Sequence, residues 1–98
     1  MSVFAVGVWT VKQGREDDFE RAWEALAQWT VEEGLAAHAT LVRDCATPSR
    51  YVSFAPGASA EHVERWRSST GFQAHLDQIM MSVESFEPGT FDTVLSVS

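Results

Sequence analysis

The sequence predicts an α+β fold in the order βαββαβ, closing a four-stranded antiparallel sheet with its helices on one face. Three observations carry that expectation. An apolar first strand leads into an amphipathic helix, two short alternating strands follow as a hairpin, and a second helical region runs into a last strand. At 98 residues, 45% of them hydrophobic, the chain is sized for one core, so residues 1 to 98 are expected to form one domain.

The first strand is Val3 to Val11, VFAVGVWTV, with Val3, Ala5, Trp9 and Val11 on one face and Phe4, Val6 and Val8 on the other. Both faces are apolar, which predicts a strand covered on both sides. KQG ends it, and REDDFERAWEALAQWTVEEG opens with acids that suit the positive end of a helix dipole. Phe19, Ala22, Trp23, Leu26 and Trp29 or Thr30 recur at helical spacing, and Gly34 is a natural stop.

Leu35 to Asp44 alternates Leu35, Ala37, Ala39 and Leu41 against Ala36, His38, Thr40 and Val42, as a second strand does. CATPS turns, and Arg50 to Ala55 forms the third. Ser59 is placed to cap AEHVERWRSS, a helix that buries Val63 and Trp66. Gly71 is expected to interrupt it before a second helical stretch from Phe72 through Met81. FEPGTF then reads as a turn into a final strand, DTVLSVS. With helices on one face and an apolar first strand, the open sheet face is expected to pack on the same face of a second copy, giving a homodimer.

Composition narrows the partners. A formal charge of -7 repels phosphate backbones and anionic membrane surfaces, so neither nucleic acid nor a membrane is expected. The single Cys45 forms no intrachain disulfide, and no CxxC or Cys/His cluster points to a metal. No basic leader or apolar run near a membrane span's length of roughly 20 residues is present, and a cytoplasmic location is expected.

Three stretches then resemble one family: VWTVKQGREDDFERAWEAL, LVRD followed by RYVSFA, and VERWRSSTGFQAHL. In this order and at this length the chain resembles the antibiotic biosynthesis monooxygenases, small ferredoxin-like domains that pair as dimeric α/β barrels. The resemblance implies a cofactor-independent monooxygenase acting on a small aromatic, anthrone or quinol-like compound, with no bound cofactor. Two alternatives stand beside it: a non-enzymatic ligand-binding or stress-associated domain of the same fold, and a haem-binding or haem-degrading protein. The haem-degrading relatives' asparagine falls at Gly7 here, and their tryptophan is matched by Trp66. Their histidine follows a phenylalanine by four residues, whereas His75 follows Phe72 by three and would turn by roughly 100° on a helix.

An oxygenase without a cofactor needs an apolar pocket, a group that helps deprotonate the substrate, and donors for the developing anion. Trp66, His38 and His75 are the candidate catalytic residues, and Trp9, Trp23, Tyr51 and Phe72 the candidate substrate-binding ones, with Arg43 a candidate anion partner. Core packing accounts for Trp23 and Phe19 on their helix stripe, and Trp66 fits helical spacing while matching a family pocket residue. His38 shares a strand face with Thr40 and Val42 and is placed to reach a helix-sheet cavity. His75 lacks an orienting acid, so an exposed or capping role competes with catalysis. His62, REDD and Arg43-Asp44 read as solvated, Cys45 has no base nearby, and Ser68, Ser69 and Thr70 read as helix caps.

Overall fold

The apolar strand Val3–Val11 (β1) lies inside the sheet, with a partner strand on each side. In a computed structural model, which describes residues 2–98, β1 pairs antiparallel with both β3 (Arg50–Gly57) and β4 (Val83–Asp92), and β2 (Thr40–Arg43) lies outside β3. The strand order is β2-β3-β1-β4. Three helices, α1 (Glu16–Glu32), α2 (Ala60–Ser68) and α3 (Thr70–Met80), complete the ferredoxin-like βαββαβ arrangement, its second helical region being in two pieces.

Residues opposite one another in neighbouring strands share a face. Tyr51, Trp9 and Phe86 form one such row, and Ser53, Gly7 and Pro88 the next. This side is the helix side, where Val3, Trp9, Val11, Tyr51 and Ala55 are buried. Phe19, Leu26 and Thr30 of α1, Val63 and Trp66 of α2, and Phe72 and Ile79 of α3 close over it. Complete burial of a side chain such as Phe19 or Ile79 contributes about 1.5–3 kcal/mol by transfer from water. Buried Thr30 satisfies its hydroxyl by donating to the Leu26 carbonyl at 2.8 Å. The opposite face carries Phe4, Val6, Val8, Val52 and Phe54, all half-buried, with Val42 and Phe91 exposed.

The helix ends follow local chemistry. Glu16, Asp17 and Asp18 occupy the first turn of α1 in place of a side-chain cap, and Gly34 ends the helix at φ +72°. Ser59 caps α2 as expected, its Oγ accepting from the His62 amide at 3.0 Å. The break between α2 and α3 lies at Ser69 rather than Gly71. Ser69 Oγ donates to the Trp66 carbonyl at 2.7 Å and accepts from the Phe72 amide at 3.2 Å, so one extended residue ends one helix and starts the next. Gly71, inside the first turn of α3, instead lets α1 approach: a Cβ there would run into the Trp29 ring.

Two strand expectations are corrected. β2 is Thr40–Arg43, not Leu35–Asp44. Leu35 closes the end of α1 by donating to the Thr30 carbonyl, and in the observed register His38 would stand opposite Pro56, which has no N–H. The last strand is Val83–Asp92 and runs straight through Glu87-Pro88-Gly89, while DTVLSVS contributes only its first residue. β4 is an edge strand, where a proline is tolerated because one row of its backbone groups has no partner strand.

The Gly71 contact gives a stability test. Gly71→Ala should lower unfolding free energy by about 1–3 kcal/mol through overpacking against Trp29, read as a shifted urea midpoint with an unchanged slope.

Candidate functional site

Gly7 and Trp9 set the floor of a cavity between the sheet and the helices. The Trp9 indole Nε1–H donates to Ser53 Oγ at 2.9 Å, and its ring stacks on Phe86 with centroids 3.9 Å apart and planes 12° apart. Phe19 leans on the same indole at 5.6 Å. A Cβ at residue 7 would lie 2.9 Å from the Phe86 ring and 3.0 Å from both Ser53 Oγ and Trp9 Nε1, so only glycine leaves room for this arrangement.

The walls come from all three helices: Trp23, Leu26 and Thr30 of α1, Trp66 and Arg67 of α2, and Phe72 of α3. Their helical spacing turns these residues toward the sheet, and the Ser69 break lets Trp66 and Phe72 meet edge-on at 6.3 Å and 84°. The cavity is about 50 Å³ and partly open to solvent, room for a few water molecules.

Two polar features stand out in this apolar lining. Trp66 is 7% exposed, and its Nε1–H is buried with no hydrogen-bond partner among the described residues. An unpaired buried donor costs about 1–3 kcal/mol, which a ligand acceptor would recover. Arg67 is half-buried, donating to the carbonyls of Gly89 at 2.7 Å and Val6 at 3.2 Å and to Thr90 Oγ1 at 3.0 Å. Burial pushes its guanidinium pKa below the ordinary value.

The fold brings four of the expected site residues together: Trp9, Trp23, Trp66 and Phe72 all line the cavity. Tyr51, His38 and His75 do not. Tyr51 belongs to a separate cluster, donating to Glu20 Oε2 at 2.6 Å and accepting from Arg43 Nη2 at 2.6 Å, with the Arg43 guanidinium also bound to Glu20. Arg43 is therefore engaged across to α1 rather than simply solvated, and burial followed by the bond to Glu20 pushes the Tyr51 phenol up. His38 is exposed in the loop before β2, because the strand expected to turn it inward starts two residues later. His75 is half-buried against Trp29, ring centroids 5.5 Å apart. His62, expected in solvent, is half-buried with Nε2 3.1 Å from the Leu35 carbonyl, tying α2 to the end of α1. Cys45 is exposed and unpaired.

Sequence reasoning missed Gly7, Ser53, Phe86 and Arg67 as parts of the cavity. The first three meet through β1 pairing with strands remote in sequence, a register that no local pattern supplies. Arg67 carried a signal: it lies four residues after buried Val63, on the same helical face.

Against this geometry the comparisons are decisive for the family. The family model for antibiotic biosynthesis monooxygenase matches residues 2–78, from β1 through most of α3. The chain belongs to the antibiotic biosynthesis monooxygenase family. Solved structures share the fold. SnoaB, a cofactor-independent oxygenase from Streptomyces nogalater, has a TM-score of 0.86 at 22% identity over 98% of this chain and 96% of that one. A putative antibiotic biosynthesis monooxygenase from Bordetella bronchiseptica gives 0.85 at 19% identity, over 96% and 98%. One from Deinococcus radiodurans gives 0.83 at 11%, over 98% and 96%. No curated protein matches significantly. Among the described residues no helix is long and apolar enough to cross a membrane.

The Tyr51 cluster predicts a pH dependence. The Tyr51 hydroxyl, and then Arg43, hold the Glu20 carboxyl below its ordinary 4.5. A depressed folded pKa contributes stability that is complete above the unfolded value and lost as pH falls through the folded one. Glu20→Gln should therefore be less stable than the parent at pH 7, and urea titrations should show the gap closing as pH falls below 4.5.

Proposed function

We propose that the protein oxygenates a small aromatic, anthrone-like or quinol-like compound in the helix-sheet cavity, without a bound cofactor. The observation that carries this reading is the buried, unpartnered Trp66 Nε1–H beside an aromatic-walled cavity, in a chain of this family. The description of the structurally similar SnoaB as a cofactor-independent oxygenase supports the reaction class.

In this reading the substrate ring rests against Trp23, Trp66 and Phe72, and an oxygen on it accepts the Trp66 N–H. As the substrate loses a proton to solvent water, that oxygen gains negative charge and the bond strengthens, so the interaction favours the reacting state over the resting one. The electron-rich anion then reduces O2. For an anthrone the net reaction turns a ring CH2 and O2 into C=O and water, and for a quinol it turns the quinol, one ring C–H and O2 into a hydroxyquinone and water; neither requires an outside reductant. The cavity of about 50 Å³ is smaller than the roughly 300 Å³ at the low end of ligand pockets, so this reading requires the wall to widen when the ring enters.

The second reading, ligand binding without turnover, is favoured by one feature: no Asp, Glu or His is among the described residues lining the cavity. Haem does not fit. An asparagine at Gly7 would collide with Trp9, Ser53 and Phe86, and His75 packs on Trp29 outside the cavity.

We also propose that the open sheet face pairs with a second copy, closing two sheets over Phe4, Val6, Val8, Val52 and Phe54. Light scattering should give about twice the 10.9 kDa chain mass. A monodisperse monomer would remove this assembly.

For the oxygenase, protein-dependent O2 uptake is expected with at least one member of a panel of anthrones and hydroquinones. Trp66→Phe keeps the ring wall and removes the donor, and should lower the rate by about 10²-fold. His38→Ala should leave it unchanged. Absence of uptake across the panel would transfer the weight to the ligand-binding reading.

A further inference from the structure

Arg67 is the one charged side chain among the described residues lining the cavity, and it takes part in no salt bridge with them. Its three acceptors, the Val6 and Gly89 carbonyls and Thr90 Oγ1, are all neutral, and its Nε–H has no protein acceptor among the described residues. A half-buried guanidinium without a counter-charge is an electrostatic cost that a bound anion would offset.

The other polar lining groups point the same way. Trp66 Nε1–H is a donor only. Ser53 Oγ already accepts from Trp9, which leaves its own proton to donate, and the Thr30 proton is spent on Leu26. The cavity thus offers unspent donors among aromatic walls, with no side-chain carboxylate or imidazole among the described residues of its lining to receive a proton. A cationic amine would meet Arg67 with like charge, and a neutral hydrocarbon would leave both Arg67 and Trp66 unmatched. The chain as a whole carries -7, so attraction of an anion is a property of this cavity and not of the surface.

We infer that the cavity takes an aromatic anion, a ring bearing an acidic group that is already ionised, and that Arg67 is the residue that selects its charge. The inference rests on the cavity being the ligand site proposed above and not on its oxygen chemistry. Arg67 is strapped to β1 and β4 at Val6 and Gly89, which fixes the position of the positive charge at the sheet side of the cavity.

Benzoate and benzamide have the same shape and differ in charge, so they isolate the effect. Each is titrated into 15N-labelled protein while the indole N–H signals of the four tryptophans are followed. Benzoate is expected to shift the Trp66 and Trp9 signals saturably, with a Kd about tenfold or more below that for benzamide, the difference a charge-assisted hydrogen bond supplies. Arg67→Gln should bring the two ligands to within about twofold of each other. Arg67→Lys keeps the charge and should preserve part of the selectivity, which a role confined to strapping β1 to β4 would not produce. Equal affinity for the two probes in the unaltered protein, or no saturable shift with benzoate, would overturn the inference. Benzoate selectivity in a protein that consumes no O2 would support it while contradicting the oxygenase reading.

Discussion

The seating of Trp9 governs the helix side of the sheet. Its indole is held from three directions, by the Ser53 hydroxyl, the Phe86 ring and Phe19, and the first two holds depend on residue 7 having no side chain. Satisfying the indole N–H within the sheet matters because an unpaired donor at this depth would cost free energy comparable to a lost buried hydrogen bond. Trp9 meets that requirement and Trp66 does not. Two tryptophans in one cavity therefore play different parts: one is a fixed floor, and the other presents a donor that the protein itself leaves unmatched.

The helical layer makes that contrast possible. α1 is one uninterrupted helix with a buried stripe, so Trp23 and Leu26 stand on a rigid support. The other half of the layer is divided at Ser69, whose hydroxyl serves both helix ends and leaves Trp66 and Phe72 on either side of the junction. The same junction that stops α2 thus shapes the cavity wall. Gly71 sets how closely this divided layer approaches α1, through its contact with Trp29.

Much of this was legible in the chain. The alternation in VFAVGVWTV identified the first strand, and the spacing of Phe19, Trp23 and Leu26 identified α1, because both rest on local periodicity. The edge strands were harder. Pro88-Gly89 has the composition of a turn, and only pairing with β1, more than 70 residues away in sequence, draws it into β4. His38 was misplaced for a related reason: alternation in LAAHATLV suggested a strand, but the residues after Gly34 are used to close α1. At the site, Trp9, Trp23, Trp66 and Phe72 were identifiable as large apolar residues on inward faces. Gly7, Ser53 and Phe86 were not, because their relation to Trp9 exists only across strands. Tyr51 and Arg43 did meet, yet their mutual bonds with Glu20 place them in a cluster apart from the cavity.

The central claim is that the space bounded by Trp9, Trp23, Trp66 and Phe72 holds a ring compound through the Trp66 indole. An anaerobic crystal structure of the protein with hydroquinone tests it most directly. The ring is expected against Trp23, Trp66 and Phe72, with one hydroquinone oxygen about 3 Å from Trp66 Nε1. Density for the ring only outside this cavity, with the Trp66 N–H still unpaired, would contradict the account.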